Sequence, residues 1–251
     1  MFTKKYKKDF ESKGFFLIEK FYTEKEVKKI KSLLRKTDKK KIVKTEVKGK
    51  FIRIENLRHT GVYDIIHNKK LKKIFNIFNF NPVLFKDKYI FKQKGVENSY
   101  GLHFDGLFKS YNYRLKRKTL GWYTYATKFF SMNIMLDNNS KKNGCLYVHK
   151  KLKGTPNSLF KKYIKDNKPF FENKNIKKNS VPIECSVGSI LIFDNLCPHF
   201  SKNNKTEIPR GNIYLSYCNS KNKKVYNQFD YDKKLLIQNI GQKEFDNRTR
   251  K

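Results

Sequence analysis

Gly101-Leu102-His103-Phe104-Asp105-Gly106, taken with Asp194-Asn195-Leu196-Cys197-Pro198-His199-Phe200-Ser201 and the Arg210 that follows eleven residues after His199, decides how this chain is read. The two stretches offer a His-x-Asp and, most of a domain later, a lone histidine with an arginine behind it. Two imidazoles and one carboxylate can occupy one face of a non-haem Fe(II), leaving the opposite face open for a chelating cosubstrate and dioxygen. An arginine at that interval suits a carboxylate of the cosubstrate, because its planar fork matches carboxylate geometry. On a strand, residues two apart share a face, so His103 and Asp105 are expected to address one metal while Phe104 faces away. His199 is then expected from a distant strand across a barrel.

The sequence around these stretches has the texture such a barrel requires. Phe129 to Leu136, Cys145 to Val148, Val181 to Cys185, Ser189 to Phe193 and Asn212 to Tyr217 are short runs rich in β-branched and aromatic residues, bounded by Gly, Asn and Pro. Pro82 to Lys94 reads as a strand leading toward His103, and Ser158 to Lys165 as a helical turn or two. Several short strands with turn signals between them predict a sandwich or jelly roll rather than alternating strands and helices. Upstream, Gly14 to Glu19 is an apolar strand, and Thr23-Glu24-Lys25-Glu26 carries a helix-starting capping box followed by Val27, Ile30, Leu33 and Leu34 at helical spacing. A second helix is predicted from about Val62 to Phe78. The tail after Tyr226 is charged and polar, and no order is predicted for its last residues.

These features, in their order, resemble the phytanoyl-CoA dioxygenase family of Fe(II)- and 2-oxoglutarate-dependent oxygenases. The resemblance rests on His103 and Asp105, the Asn143-Gly144-Cys145-Leu146 turn, the run Gly188-Ser189-Ile190-Leu191-Ile192-Phe193 leading into His199, and Arg210 at the family's spacing. It implies a mainly β fold with flanking helices, a double-stranded β-helix of the cupin-like jelly-roll kind. It implies that His103, Asp105 and His199 hold the iron and do the catalytic work, that Arg210 pairs with the distal carboxylate of 2-oxoglutarate, and that Ser201 lies near that carboxylate. Asn133, eleven residues before Gly144, aligns with a cosubstrate-binding position, and Lys88 with another. The family chemistry consumes 2-oxoglutarate and O2, releases succinate and CO2, and is supported by ascorbate. Asp105 points to hydroxylation, since related halogenases carry a small residue there. One departure stands out: Val148-His149-Lys150-Lys151-Leu152-Lys153-Gly154 is shorter and more basic than the family's turn, which leaves room for a different substrate, so hydroxylation of a coenzyme A thioester is not assumed.

At 251 residues the chain fits one domain, with N-terminal helices over about 1–80, a β-helix core over about 81–220 and a polar C-terminal tail. Neither a signal peptide nor a membrane anchor is indicated near the start, which sets the expectation of a cytoplasmic protein. Cys145, Cys185, Cys197 and Cys218 show no paired spacing and read as buried thiols, not as a disulfide frame or a zinc site. Lys+Arg 58 against Asp+Glu 22 gives a net charge of +36. A coding bias toward A and T explains the lysines as well as function does; a functional excess would point to a small anionic substrate, or to a polyanion such as nucleic acid or an acidic glycan.

The rival reading is a non-catalytic, basic jelly-roll protein holding such a polyanion. Lys109 to Lys118, followed by Trp122, Tyr123 and Tyr125, fits phosphate contact and base stacking, and fits equally a lid over the substrate. The lid is preferred because its place after the metal motif explains it, and Trp122 and Tyr125 are then substrate contacts. His149 is read as a solvated loop histidine, and His59 and His67 as structural or surface residues.

Overall fold

The computed structural model describes residues 2–36, 43–47, 50–76, 81–94, 97, 99–165, 169–222 and 224–249. The elements in chain order are α1 Phe2–Lys13, β1 Phe15–Ile18, α2 Glu24–Lys36, β2 Val43–Val47, β3 Lys50–Glu55, α3 Val62–Ile66, α4 Lys69–Asn76, β4 Pro82–Lys92, β5 Tyr100–His103, β6 Lys109–Asn112 and β7 Arg117–Leu120. They continue with β8 Phe129–Met135, β9 Leu146–Val148, α5 Pro156–Tyr163, α6 Lys174–Lys178, β10 Val181–Pro182, β11 Ile190–Asp194, β12 His199–Ser201, β13 Arg210–Asn219, α7 Val225–Ile240 and α8 Gln242–Thr249.

Two antiparallel sheets face each other. The larger runs β1-β11-β8-β13-β4-β3-β2 and the smaller β10-β9-β12-β5, with β6 and β7 forming a separate hairpin. This is the jelly-roll architecture the alternating strands predict. The outer face of the larger sheet is apolar: Phe16, Ile18, Met132, Ile134, Ile190, Ile192, Ile213 and Leu215 pack with Val27, Ile30 and Leu34 of α2 and with residues of α3 and α4. Each fully buried aliphatic side chain contributes roughly 1.5–3 kcal/mol, so this layer carries much of the stability. Because side chains alternate, the residues between these point into the space between the sheets. On β4 and β13 those inward positions are polar, Lys86, Lys88 and Lys92 facing Ser216, Tyr214 and Arg210. The hydrophobic effect is satisfied on the helix side, and the barrel interior is left free to hold polar groups.

The predicted capping box at α2 forms, with Glu26 N donating to Thr23 Oγ1 at 3.2 Å and Thr23 N donating to Glu26 Oε2 at 2.7 Å. The predicted helix over Val62 to Phe78 is two helices instead, its last two positions lying outside the described residues. The break falls at His67 and Asn68, where Asn68 Oδ1 accepts from Leu71 N to start α4 and His67 is held by Tyr217 Oη, 2.8 Å from its Nε2. The N-terminal section also supplies β2 and β3, a hairpin the periodicity does not reveal.

The tail after Tyr226 corrects the sequence reading most plainly, since it forms α7 and α8. Val225 and Phe229 sit one helical turn apart and pack against Phe85, whose ring lies 4.5 Å from that of Phe229. The Arg58 guanidinium lies 3.0 Å over the Tyr226 ring, a cation–π contact. Val225 and Phe229 dock the helix, while its other aliphatic side chains, Leu235, Leu236, Ile237 and Ile240, stay half-buried. All four cysteines are free and buried, as expected. No described helix is long and apolar enough to cross a membrane.

Candidate metal centre

His103 closes β5 and His199 opens β12, and the two strands are direct neighbours with His199 opposite His103. The expectation of a distant strand across the barrel is therefore corrected: one antiparallel pair supplies both imidazoles, their ring centroids 4.3 Å apart. Asp105 does not continue the strand but sits in the turn beyond it, where Gly106 takes φ +74°. A Cβ at Gly106 would lie 2.5 Å from the Trp122 ring, so only glycine lets the turn close over that indole. One ligand atom from each of His103, Asp105 and His199 lies within 4.8 Å of the others.

The hydrogen bonds fix which atoms are presented. His103 Nδ1 donates to Gly101 O at 2.8 Å and His199 Nδ1 donates to Cys197 O at 3.0 Å. Since a carbonyl only accepts, both protons are on Nδ1 and both Nε2 lone pairs are free. They face Asp105 Oδ1 at 3.9 and 3.8 Å. Ser131 Oγ donates to the other carboxylate oxygen at 2.6 Å and orients it. Burial holds the His103 imidazole well below its ordinary range, helped by the neighbouring His199, and burial lowers His199 likewise. Burial pushes Asp105 up, but His199, Lys88, His103 and the Ser131 hydrogen bond outweigh it and the carboxyl lies below its usual range. Two neutral imidazoles and one carboxylate, with one side open to a cavity, match the donor set of a non-haem Fe(II).

That cavity lies between the sheets. The larger sheet lines it with Lys88, Lys92, Ser131 and Tyr214, and the smaller with Tyr100 and Ser201 beside the two histidines. At one end lie two buried cations. Arg210 donates Nε to Asn143 O at 3.2 Å, one terminal nitrogen to Asn139 Oδ1 at 2.9 Å and the other to Gly144 O at 2.8 Å. Three of its five N–H groups are thereby used and two remain. The Asn143-Gly144 turn is the cradle of this guanidinium: Gly144 has φ +75°, and a Cβ there would meet Lys202 O at 2.4 Å. Lys92, opposite Arg210 in the ladder, donates to Ser201 Oγ at 2.8 Å and to Lys202 O at 2.6 Å. Burial, and next Arg210, press its ammonium well below the ordinary lysine range. Among the described residues no carboxylate bonds to either cation, which leaves the pair able to receive an anion. Asn133 adds to this: fully buried on the inward face of β8, it has neither amide atom hydrogen-bonded within the described chain. Such groups are costly to leave unmatched and fit a ligand with acceptors and donors to spare.

Of the residues read from the sequence, His103, Asp105, His199, Ser201 and Lys88 line one cavity, Arg210 stands beside its Lys92 wall in the ladder, and Asn133 lies on the same inward face. Lys88 is not the lysine beside Arg210; that is Lys92, which the sequence reading missed along with Asn139 and Ser131. The signal was present in part, since Lys88 and Lys92 share a face by the two-residue period and Ser131 shares one with Asn133.

Trp122 and Tyr125 are corrected as substrate contacts. Trp122 is 5% exposed in a cluster with Phe85, Phe129, Cys218 and Val225, and forms the floor beneath the Asp105 turn. Tyr125 Oη donates to Asp232 Oδ2 at 2.9 Å. The preceding basic segment is the β6–β7 hairpin, held by Asn112 and Arg114 on the same Asp232, with Arg114 bonding both carboxylate oxygens at 2.7 and 3.0 Å. His149 is also corrected: it is buried, its backbone N donating to Pro198 O, and Lys151 N of the same loop donates to Lys13 O. His67 is structural, as expected; the side chain of His59 lies outside the described residues.

Among solved structures, the fold is similar to that of SnoN, an epimerase crystallised with Fe3+, alpha ketoglutarate and nogalamycin RO, at TM-score 0.63 and 13% identity over 86% of this chain and 83% of that one. HygX from Streptomyces hygroscopicus with iron bound gives TM-score 0.62 and 13% identity over 86% of this chain and 87% of its own. EctD from S. alaskensis with 2-oxoglutarate and 5-hydroxyectoine gives TM-score 0.61 and 16% identity over 84% and 74%. No curated protein matches the chain in sequence. The family described as phytanoyl-CoA dioxygenase matches residues 10–212, a span that takes in both sheets except most of β13, together with His103, Asp105, His199 and Arg210, and the chain belongs to that family.

Proposed function

We propose that this chain, acting as one domain, is an Fe(II)- and 2-oxoglutarate-dependent oxygenase that hydroxylates an unactivated C–H bond of a small, anionic organic substrate. The observation that carries the reading is the convergence of His103, Asp105 and His199 within 4.8 Å, both imidazoles presenting Nε2, on a cavity that ends in two buried cations without a carboxylate. Similar folds crystallised with iron, or with 2-oxoglutarate, support it.

His103, Asp105 and His199 would hold the ferrous ion, which with 2-oxoglutarate and O2 supplies the oxidising chemistry. The chain's own residues do the rest. Lys92 and the two unassigned N–H groups of Arg210 bind the distal carboxylate of 2-oxoglutarate, assisted by Ser201, while the buried Asn133 amide orients the cosubstrate from the sheet side. Ser131 keeps the Asp105 carboxylate turned toward the two imidazoles. Leu146 and Ile90 on the cavity wall limit water at the reacting face. The Asp105 carboxylate fills the position that would have to be vacated for a halide, which favours hydroxylation.

The test is anaerobic titration of 2-oxoglutarate into protein with and without Mn(II). The proposal expects metal-dependent binding that Asp105→Ala abolishes and Arg210→Met weakens at least a hundredfold; binding of equal strength in the Asp105→Ala protein would remove the assignment. With a turnover substrate in hand, His103→Ala or Asp105→Ala should end substrate-dependent succinate formation.

A further inference from the structure

The cavity has a second cationic end that the cosubstrate does not account for. Lys86 and Lys88 lie on the same inward face of β4 as Lys92, and the ladder sets them against Ser216 and Tyr214 of β13. Lys88 stands four residues from Lys92, about 13 Å along the strand. It lines the cavity shared with His103, Asp105 and His199, and its charge is felt by all three. Lys86 is tied to the same centre by a row of hydroxyls: Ser216 opposite it lies 3.3 Å from Ser131, which donates to Asp105.

Neither ammonium has a hydrogen bond or ion pair among the described residues. Each lies near an aromatic face, Lys88 Nζ 5.5 Å from the Tyr214 centroid and Lys86 Nζ 5.7 Å from that of Trp122. The carboxylate whose charge reaches Lys86 is Glu55, already shared between Lys233 at 3.1 Å and Arg53 at 3.4 Å. Four cations therefore stand around one carboxylate at this end, Asp105 being committed to the metal. Burial, joined by Lys88, Lys233 and Arg53, outweighs Glu55 and holds Lys86 down to about 7. Glu55, which also stands opposite Lys88 in the β3–β4 ladder, is one carboxylate among several cations, an expensive balance inside a barrel that a ligand anion would offset.

We infer that Lys86 and Lys88 recognise an anionic group of the primary substrate, a carboxylate or phosphate, and thereby hold the carbon to be oxidised at the open side of the metal centre. This rests on the oxygenase reading above and assigns the substrate end of the same cavity. The two ends then select different anions: Lys92 and Arg210 take the cosubstrate, Lys86 and Lys88 the substrate. Ile90 and Asn212, the pair between them in the β4–β13 ladder, separate the two.

The experiment titrates inorganic phosphate, and separately propionate, into protein saturated with 2-oxoglutarate and Mn(II), so that the Arg210 end is filled. Parallel titrations omit the metal. Wild type is expected to bind at least one probe, and Lys88→Met and Lys86→Met to weaken it about tenfold each, with Lys88→Arg retaining it. The affinity for 2-oxoglutarate should stay within about twofold in all three. The preferred probe distinguishes a phosphate from a carboxylate substrate. Probe binding that is unchanged in both methionine variants, or absent in wild type, overturns the inference. So does a tenfold loss of 2-oxoglutarate affinity in Lys88→Met, which would return Lys88 to the cosubstrate. If 2-oxoglutarate fails to bind with metal while phosphate still depends on Lys86 and Lys88, the oxygenase reading falls and the anion site survives as a site of another kind.

Discussion

The two ends of the cavity bury positive charge in opposite ways. At the Arg210 end the protein supplies acceptors: Asn139 Oδ1, Asn143 O and Gly144 O receive the guanidinium, and Ser201 Oγ and Lys202 O receive Lys92. At the Lys86 and Lys88 end it supplies aromatic faces and a single, already divided carboxylate. The first arrangement is rigid and built for one anion of fixed shape. The second leaves two flexible ammonium groups to adjust, as suits a ligand that differs from one oxygenase to another. By the proposed assignment, cosubstrate binding and substrate recognition are separated by about 13 Å of one strand.

The sharpest way to break this contrast is to remove one cation from each end. Arg210→Met strands Asn143 O and Gly144 O, while Asn139 Oδ1 keeps its bond from Asn212, so at about 1–3 kcal/mol per unmatched acceptor the denaturant midpoint should fall by the equivalent of about 2–6 kcal/mol. Lys88→Met removes a cation with no protein partner and should leave the midpoint unchanged or raise it. Equal destabilisation by the two variants would show that the ends are not built differently.

A smaller effect follows from Glu55. Burial alone would raise its pKa, but Lys86, Lys233 and Arg53 outweigh burial and lower it to about 2 from an ordinary 4.5. A carboxyl depressed in the folded state contributes its stability in full above the unfolded value and loses it as pH falls toward the folded one. Stability should therefore decline between about pH 4.5 and 2, by about 2 kcal/mol on the scale of 1.36 kcal/mol per pKa unit with allowance for screening. Glu55→Gln should flatten that part of a pH series of thermal midpoints, and an unchanged slope would place the titrating group elsewhere.

The smallest expected effect concerns the β6–β7 hairpin and its anchor on α7. Asp232 accepts from Asn112, Arg114 and Tyr125, so Asp232→Asn should cost about 1–2 kcal/mol, discounted because Arg114 can turn to water. Amide exchange in residues 109–120 should quicken while that of β13 stays slow. Equal acceleration in both would mean that α7 supports the whole barrel rather than the hairpin.

The metal centre was legible because its chemistry is local in type: a His-x-Asp, a histidine after an apolar strand, and an arginine at a fixed interval. The Asn143-Gly144 turn was legible too, since asparagine and glycine announce a left-handed backbone. What the sequence did not yield depends on register. Whether Lys88 or Lys92 stands against Arg210 is settled by the β4–β13 ladder, and the pairing of His199 directly with His103 by the order of strands in the smaller sheet. Trp122 and Tyr125 were misread for a related reason, since an aromatic beside a metal motif packs under a turn as readily as it faces a ligand. Helix α7 is not announced by its sequence because its apolar residues form no strong stripe at helical spacing, and the docking of Val225 and Phe229 depends on Phe85, far away in the chain.

Each imidazole of the centre is steered by the carbonyl just two positions earlier, Gly101 for one and Cys197 for the other. Both tautomers are consequently written into their own tripeptides, with no need of a remote acid to set them. The chain therefore arrives at metal loading with its coordinating lone pairs already aimed, and exchange of one divalent ion for another should be paced by diffusion into the barrel, not by proton rearrangement.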